Sequence, residues 1–471
     1  PPAFPTGSPI RPPTAPPTDP PTRNERYDAL VDSLESAGIT SVNDFISESP
    51  QLRSVNWLLD EDPLKLLGWT DDPVPAARIF QRYIAVALFF GIEGEGWVKK
   101  NGWLTSAHEC DWLGLSCEEN SAKQLVLTEI DLENRNLMGV LPREVGFLTE
   151  CTTLSLYGNQ LSGPLPTTLG QMEKLKKLWI DENNFTGSLP SELGYLVNLD
   201  DMSIYDNQFE GSLPTELGRL TGLKRIWANN MQLSGSIPSE FGRLTDLENL
   251  FLDDNSLSGS VPSELGLATG LKDLRLFKNR LGGALPTELF SLSNLEIAYL
   301  DTNRFAGEIP REIANLSKIH DLQLFSNRFS GTIPFAIAAL PNLKILRLNG
   351  NDLTGNIPGN LGSNQNLLRL SLSSNRLVGT IPSALQQSLG LRRLELDRNS
   401  LNGILPDWLG NLEKLMTLNV ASNRLSGYIP TSLSTLKHLE EVQLEDNSLQ
   451  GNVPNEWCAL DSLGILNADC A

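Results

Sequence analysis

Eight aromatic residues recur at corresponding places in eight successive segments of the chain: Tyr157, Trp179, Tyr205, Trp227, Phe251, Phe277, Tyr299 and Phe325. Carboxylates accompany them. Asp181, Asp253 and Asp301 each follow a ring by two residues, and Glu182, Asp206 and Asp254 lie beside them. Residues two apart on a strand project on one face, so ring and carboxylate are presented together. Such a pair suits a lysine or arginine side chain, which meets the ring face by cation–π contact and the carboxylate by ion pairing. Six carboxylates against the single Lys278 leave this strip at −5 with no partner of its own. Like charges held close together destabilise a sheet unless a cation answers them, which predicts a basic extended peptide or a basic protein loop as ligand. A glycan is the rival, since rings stack on sugars and carboxylates accept their hydroxyls. Further along, Arg347, Arg369, Arg392, Arg393 and Arg398 form a basic patch, suited to an acidic end of the same ligand or to offsetting Glu395 and Asp397.

The strip exists only if corresponding residues stand side by side, and the period supplies that. Leu127, Cys151, Leu175 and their equivalents as far as Leu463 lie 24 residues apart without insertion or deletion. The first fourteen open the phrase L-x-x-L-x-L-x-x-N-x-L-x-G-x-[IVL]-P. A fixed period in this range marks a solenoid, so an α/β solenoid of fourteen full repeats is expected over residues 127–454. Successive strands then lie about 4.8 Å apart, and the rings of repeats 2 to 9 span about 34 Å, the reach of about ten extended residues. Positions 1, 4 and 6 of each repeat point into the core. The position-9 asparagine should turn inward and bond the backbone of adjacent turns. Met231 replaces it mid-array, predicting a local loss of about 1 kcal/mol unless Asn229 or Asn230 substitutes. Glycine at position 13 permits a tight turn, and proline at position 16 marks the outer return path. Position 2 alternates in sign (Lys176, Asp200, Lys224, Glu248, Lys272, Glu296), and position 3 begins likewise with Lys177, Asp201 and Arg225. Both read as self-neutralised structure.

Residues 1–24 are nearly half proline and read as a semi-rigid stalk. Residues 25–94 turn helical in pattern and predict three or four short helices packed on the N-terminal end of the array. Trp97, Trp103, Cys110, Trp112 and Cys117 mark an N-terminal cap over residues 95–126. Trp457, Cys458 and Cys470 mark a C-terminal cap over 455–471. Cysteine pairs flanking the array read as disulfides, Cys110 with Cys117 and Cys458 with Cys470, which implies an oxidising compartment. Cys151 occupies a core position as a buried thiol. The sequons at Asn184 and Asn315 are glycosylation candidates and agree with secretion. The best apolar run, residues 84–90, is too short to cross a bilayer, so any membrane anchor lies outside this chain. A net charge of −20 argues against nucleic acid and anionic membrane partners. His108, His320 and His438 fall in unrelated places, and no metalloprotease, serine-hydrolase, phosphate-loop or Cys-x-x-Cys motif occurs. Neither catalysis nor a metal or cofactor is expected.

Phrases such as L-S-G-x-I-P-x-x-L-G-x-L-x-x-L closely resemble the plant-type leucine-rich repeat, over roughly residues 97–471. The W…C-x-W-x-G-[VLI]-x-C phrase looks like that family's N-terminal cap. The helical segment, with SPQLRSVNWLLDEDP followed by QRYIAVALFF, is similar to leucine-rich repeat proteins of diatoms and related algae, in which a membrane anchor precedes a proline-rich stalk. The resemblance implies a right-handed superhelix with a concave parallel sheet, a second small sheet beside it and short helical turns outside. It implies a receptor or receptor-like ectodomain that binds a peptide or protein, with signalling by another domain, another chain or a co-receptor. An inhibitor of a cell-wall hydrolase and a glycan-binding or adhesion matrix protein are the alternatives. Peptide receptors of this family grip a terminal carboxylate with an Arg-x-Arg pair on one strand. Here Arg369 is followed by Ser371 and Arg393 by Glu395, which places that ligand class in doubt.

Overall fold

The computed structural model describes residues 21–67, 76–97, 100–453, 456–457 and 462–468. Most of the proline-rich segment and both Cys458 and Cys470 lie outside the described residues, as does Pro454. The chain divides into two compact units, Pro1–Leu233 and Ser234–Ala471.

In the first unit, α1 (Arg23–Ser36) starts two residues inside the segment read as stalk, because Thr22 and Glu25 form a capping box. Ser49 caps α2 (Pro50–Asn56), which runs into a π-helical turn at Trp57–Glu61, and α3 (Ala76–Gly91) is buried along most of its length. What pins these helices to the array is a desolvated polar knot. Arg82, fully buried, bonds Asp62 at 2.8 Å and Glu109 at 3.2 Å and donates to the carbonyls of Thr105 and Ala107. Its guanidinium lies 4.9 Å from the Trp112 ring and 5.3 Å from that of Trp57. Gln81 donates to Glu109 and accepts from the Leu127 N–H, tying α3 to the first repeat. Disulfide Cys110–Cys117 closes the cap beside it. Strand β1 (Leu115–Glu119) pairs antiparallel with β2 (Leu125–Asp131). From β2 onward the ladder is parallel, through Thr153–Ser155, Lys177–Trp179, Asp201–Ser203 and Arg225–Trp227.

The second unit carries the same parallel ladder from Asn249–Phe251 to Ile465–Asn467. Within each unit, identical repeat positions stand opposite one another: Leu154 faces Leu178, and Leu274 faces Ala298. Positions 1, 4 and 6 fill the core, as expected; Leu175, Leu178 and Ile180 are fully buried. Among the described residues the prolines at position 16 cap a 3-10 turn on the outer side, save Pro358, where Asn360 caps the shorter turn Leu361–Ser363. Pro190 is representative, its φ of −64° matching the fixed ring geometry and its carbonyl accepting from Leu193 N–H. Shorter strands, beginning at position 10 or just after it, follow most concave strands and among the described residues form three separate small sheets.

The position-9 asparagines do what the pattern required. Asn183 donates to the carbonyls of Leu156, Ile180 and Asp181 and accepts from the Leu161 N–H at 2.9 Å. Met231 is buried in that slot at 8 % exposure. Asn230 turns instead to the Asp206 carboxylate, and Asn229 offers Asp206 its carbonyl.

Candidate ligand-binding face

Because positions 4 and 6 face the core, positions 3 and 5 of each strand face the concave side. In the first unit this brings Trp179 opposite Ser203, and Ser203 opposite Trp227. Tyr157, Trp179, Tyr205 and Trp227 are all half-buried, with the Tyr205 and Trp227 rings 6.5 Å apart. In the second unit Phe251 stands opposite Arg275, which stands opposite Tyr299. Phe251, Phe277, Tyr299 and Phe325 are half-buried too, and Phe277 packs edge-on to Tyr299 at 6.3 Å. The position-5 rings therefore face the concave side, with Tyr205 and Phe277 from position 7 packed against them.

The acidic strip differs from expectation in two ways. First, it splits by position. The strands end at position 5 or soon after, so positions 7 and 8 belong to the turn that follows. Asp181, Asp253 and Asp301 at position 7 are only 5 %, 8 % and 5 % exposed. Burial pushes all three carboxyls up from the ordinary carboxylate range, Asp253 to about 6. Ser203 and Tyr205 hydroxyls partly counter this at Asp181. Position 8 adopts left-handed backbone, with φ near +52° at Glu182 and Asp254 and +51° at Asp206. That geometry turns Glu182 and Asp254 into solvent.

Second, the chain supplies its own cations, so a strip without a partner is incorrect. Lys278 bonds Asp254 at 3.0 Å. Arg275, which the sequence reading passed over, lies 4.2 Å from the Phe251 ring and 5.4 Å from that of Tyr299, and is held by Asp273 at 2.9 Å. Arg347 stacks 4.0 Å from Phe325 and donates to Gln323. In the first unit, Arg225 lies 6.0 Å from Trp227 and bonds the buried Asp201 at 2.5 Å, while Lys177 lies 4.9 Å from Trp179. Asp201, Asp273 and Asp321 at position 3 are thus part of the face, Asp321 accepting from the Tyr299 hydroxyl at 2.9 Å. The same two-residue spacing that links positions 5 and 7 would have revealed them.

The basic patch is partly engaged as well. Arg369 bonds Glu395 at 3.0 Å, Arg392 and Arg393 are exposed, and Arg398 reaches Asp397 at 4.0 Å. Burial, with Arg369 nearby, pushes the Arg347 guanidinium below its usual range. Asn184 and Asn315 are both exposed. Cys151 is a fully buried free thiol, pushed up to about 12 by burial. Among the described residues no group of three or more His, Cys, Asp or Glu could hold a metal ion, and no helix is long and apolar enough to cross a membrane.

Leucine-rich repeat profiles match residues 389–449 and, repeat by repeat, 150–172, 174–196, 342–364 and 366–388. A leucine-rich repeat protein of Leptospira interrogans is 34 % identical with a TM-score of 0.60, the match covering 72 % of this chain and 83 % of that one. The chain belongs to the leucine-rich repeat family, and its repeats are similar to those of plant receptors. The plant peptide hormone receptor RGFR1, solved in complex with RGF2, is 36 % identical with a TM-score of 0.68, over 72 % of this chain and 58 % of that chain. A TDR receptor gives 35 % and 0.68, over 72 % and 59 %. Phytosulfokine receptor 1 of Arabidopsis thaliana is 29 % identical over 83 residues, 17 % of this chain and 8 % of that protein. The chain thus spans less than two thirds of these receptors.

Proposed function

We propose that this chain is the extracellular recognition part of a receptor-like protein, and that its concave face in repeats 2 to 5 takes a basic, extended peptide or protein loop. The observation that carries the reading is Trp179, a half-buried ring over which lies the exposed Lys177, 4.9 Å away and, among the described residues, in no ion pair. A ligand lysine or arginine can displace Lys177 and gain the Glu182 and Asp206 carboxylates on the adjoining turns, which Lys177 leaves unused. The rings of repeats 6 to 9 offer less to an incoming cation. Arg275 is locked by Asp273 over Phe251, and Arg347 covers Phe325. RGFR1, solved with RGF2, supports a peptide as ligand, and the relatives' receptor character supports display at the cell surface or in the extracellular space.

The test is selection of an immobilised library of about 12-residue peptides. Bound sequences should be enriched in Lys and Arg, and the Trp179→Ala/Trp227→Ala variant should lose binding by more than tenfold while its unfolding transition stays close to wild type. Enrichment of acidic peptides, or binding that survives both substitutions, would overturn the proposal.

A further inference from the structure

The short sheet of the second unit carries a feature the concave site does not use. Arg280, Arg304 and Arg328 occupy position 10 of three consecutive repeats, in strands Arg280–Gly283, Arg304–Glu308 and Arg328–Ser330. The next residues, Leu281, Phe305 and Phe329, are fully buried, so alternation sends all three arginines outward, where they are exposed. Register pairs Gly282 with Arg304 and Ala306 with Arg328. Each arginine is therefore displaced from the last by one strand and two residues, a diagonal of about 8 Å. Among the described residues none of the three has an ion pair. One repeat further on the pattern changes: Asp352 takes the position and binds Arg376 at 2.5 Å. Three guanidiniums thus recur along a diagonal with no ion pair among the described residues, in a chain of net charge −20, with a neutralised version of the same column next to them.

The surroundings narrow what could answer them. Gly282 and Ala306 on the same face have almost no side chain, so between the arginines the surface is nearly smooth and offers a peptide's side chains little to pack against. Strand Arg304–Glu308, at the middle of the ladder, is paired on both edges and offers no free backbone for strand addition there. A ligand made of charges and hydroxyls on a stiff linear backbone fits such a surface, because guanidinium binds sulfate or carboxylate with two parallel hydrogen bonds. We propose that Arg280, Arg304 and Arg328 form a lateral binding ladder for a linear anionic polysaccharide, sulfated or carboxylated. Glu308, the acidic side chain on this face, opposes it.

The intact chain should bind dextran sulfate or polygalacturonate and not neutral dextran, the two polyanions deciding between sulfate and carboxylate. Arg280→Gln/Arg304→Gln/Arg328→Gln should weaken binding by about tenfold or more and flatten the salt dependence by about two to three counterions. Glu308→Gln should tighten it about two- to threefold. Trp179→Ala/Trp227→Ala should leave it unchanged, which separates this surface from the concave one. Undiminished polyanion binding by the triple variant would overturn the ladder. Equally tight binding of poly-glutamate would overturn its assignment to a glycan.

Discussion

Asp253 shows how burial sets the chemistry of single residues on the concave face. Its carboxyl, pushed up to about 6 by desolvation, binds its proton more tightly in the folded protein than in the unfolded chain. The folded state then holds the extra proton between about pH 4 and 6, so this group stabilises the fold below that window and loses its contribution as pH rises through it. Asp253→Asn should raise stability at pH 7 by about 1 kcal/mol, less than the full gain because the Asn amide is itself polar and desolvated at this site. It should have little effect at pH 4, which thermal unfolding at the two pH values would check. The pattern of rings was readable from the sequence because period and alternation fix their face. The fate of the charges was not: Asp201 was assigned to a self-neutralising edge, and Asp273, two residues before Arg275 on the same face, was passed over. Burial at position 7 depends on where each strand ends, which the repeat phrase does not state.

At the scale of elements, the repeat is held by its asparagine and the N-terminal module by Arg82. Met231→Asn should recover the bonds that Asn183 and Asn207 make in their own turns and raise stability by about 1 kcal/mol in denaturant unfolding. Arg82→Ala should cost about 3–5 kcal/mol, because Asp62 and Glu109 would remain buried without a counter-charge. Repeat arrays transmit stability mainly to neighbours. Hydrogen exchange should therefore show α1–α3 and the first repeat losing protection while distant repeats keep theirs. The existence of this helical module was legible in the apolar spacing of residues 27–34 and 79–88. Its attachment was not, since it rests on Gln81, Arg82 and Glu109, whose meeting depends on tertiary packing between segments with no shared period.

Across the whole molecule, the sign of the net charge misleads about local chemistry. A chain of −20 has concave aromatic faces stocked with its own arginines and lysines, and three exposed arginines at one repeat position of a lateral sheet. Salt should weaken binding at both proposed surfaces, since each depends on charge pairs exposed enough to be screened. The central claim is that Trp179 and Trp227 hold a cationic segment on the concave face of the first unit. The most direct measurement is the affinity of a selected Lys/Arg-rich peptide for wild type and for Trp179→Ala/Trp227→Ala, titrated from low to high salt. The account predicts steep weakening with salt in wild type and at least tenfold loss in the double variant at every salt concentration. Equal affinity for both proteins, or binding indifferent to salt, would contradict it.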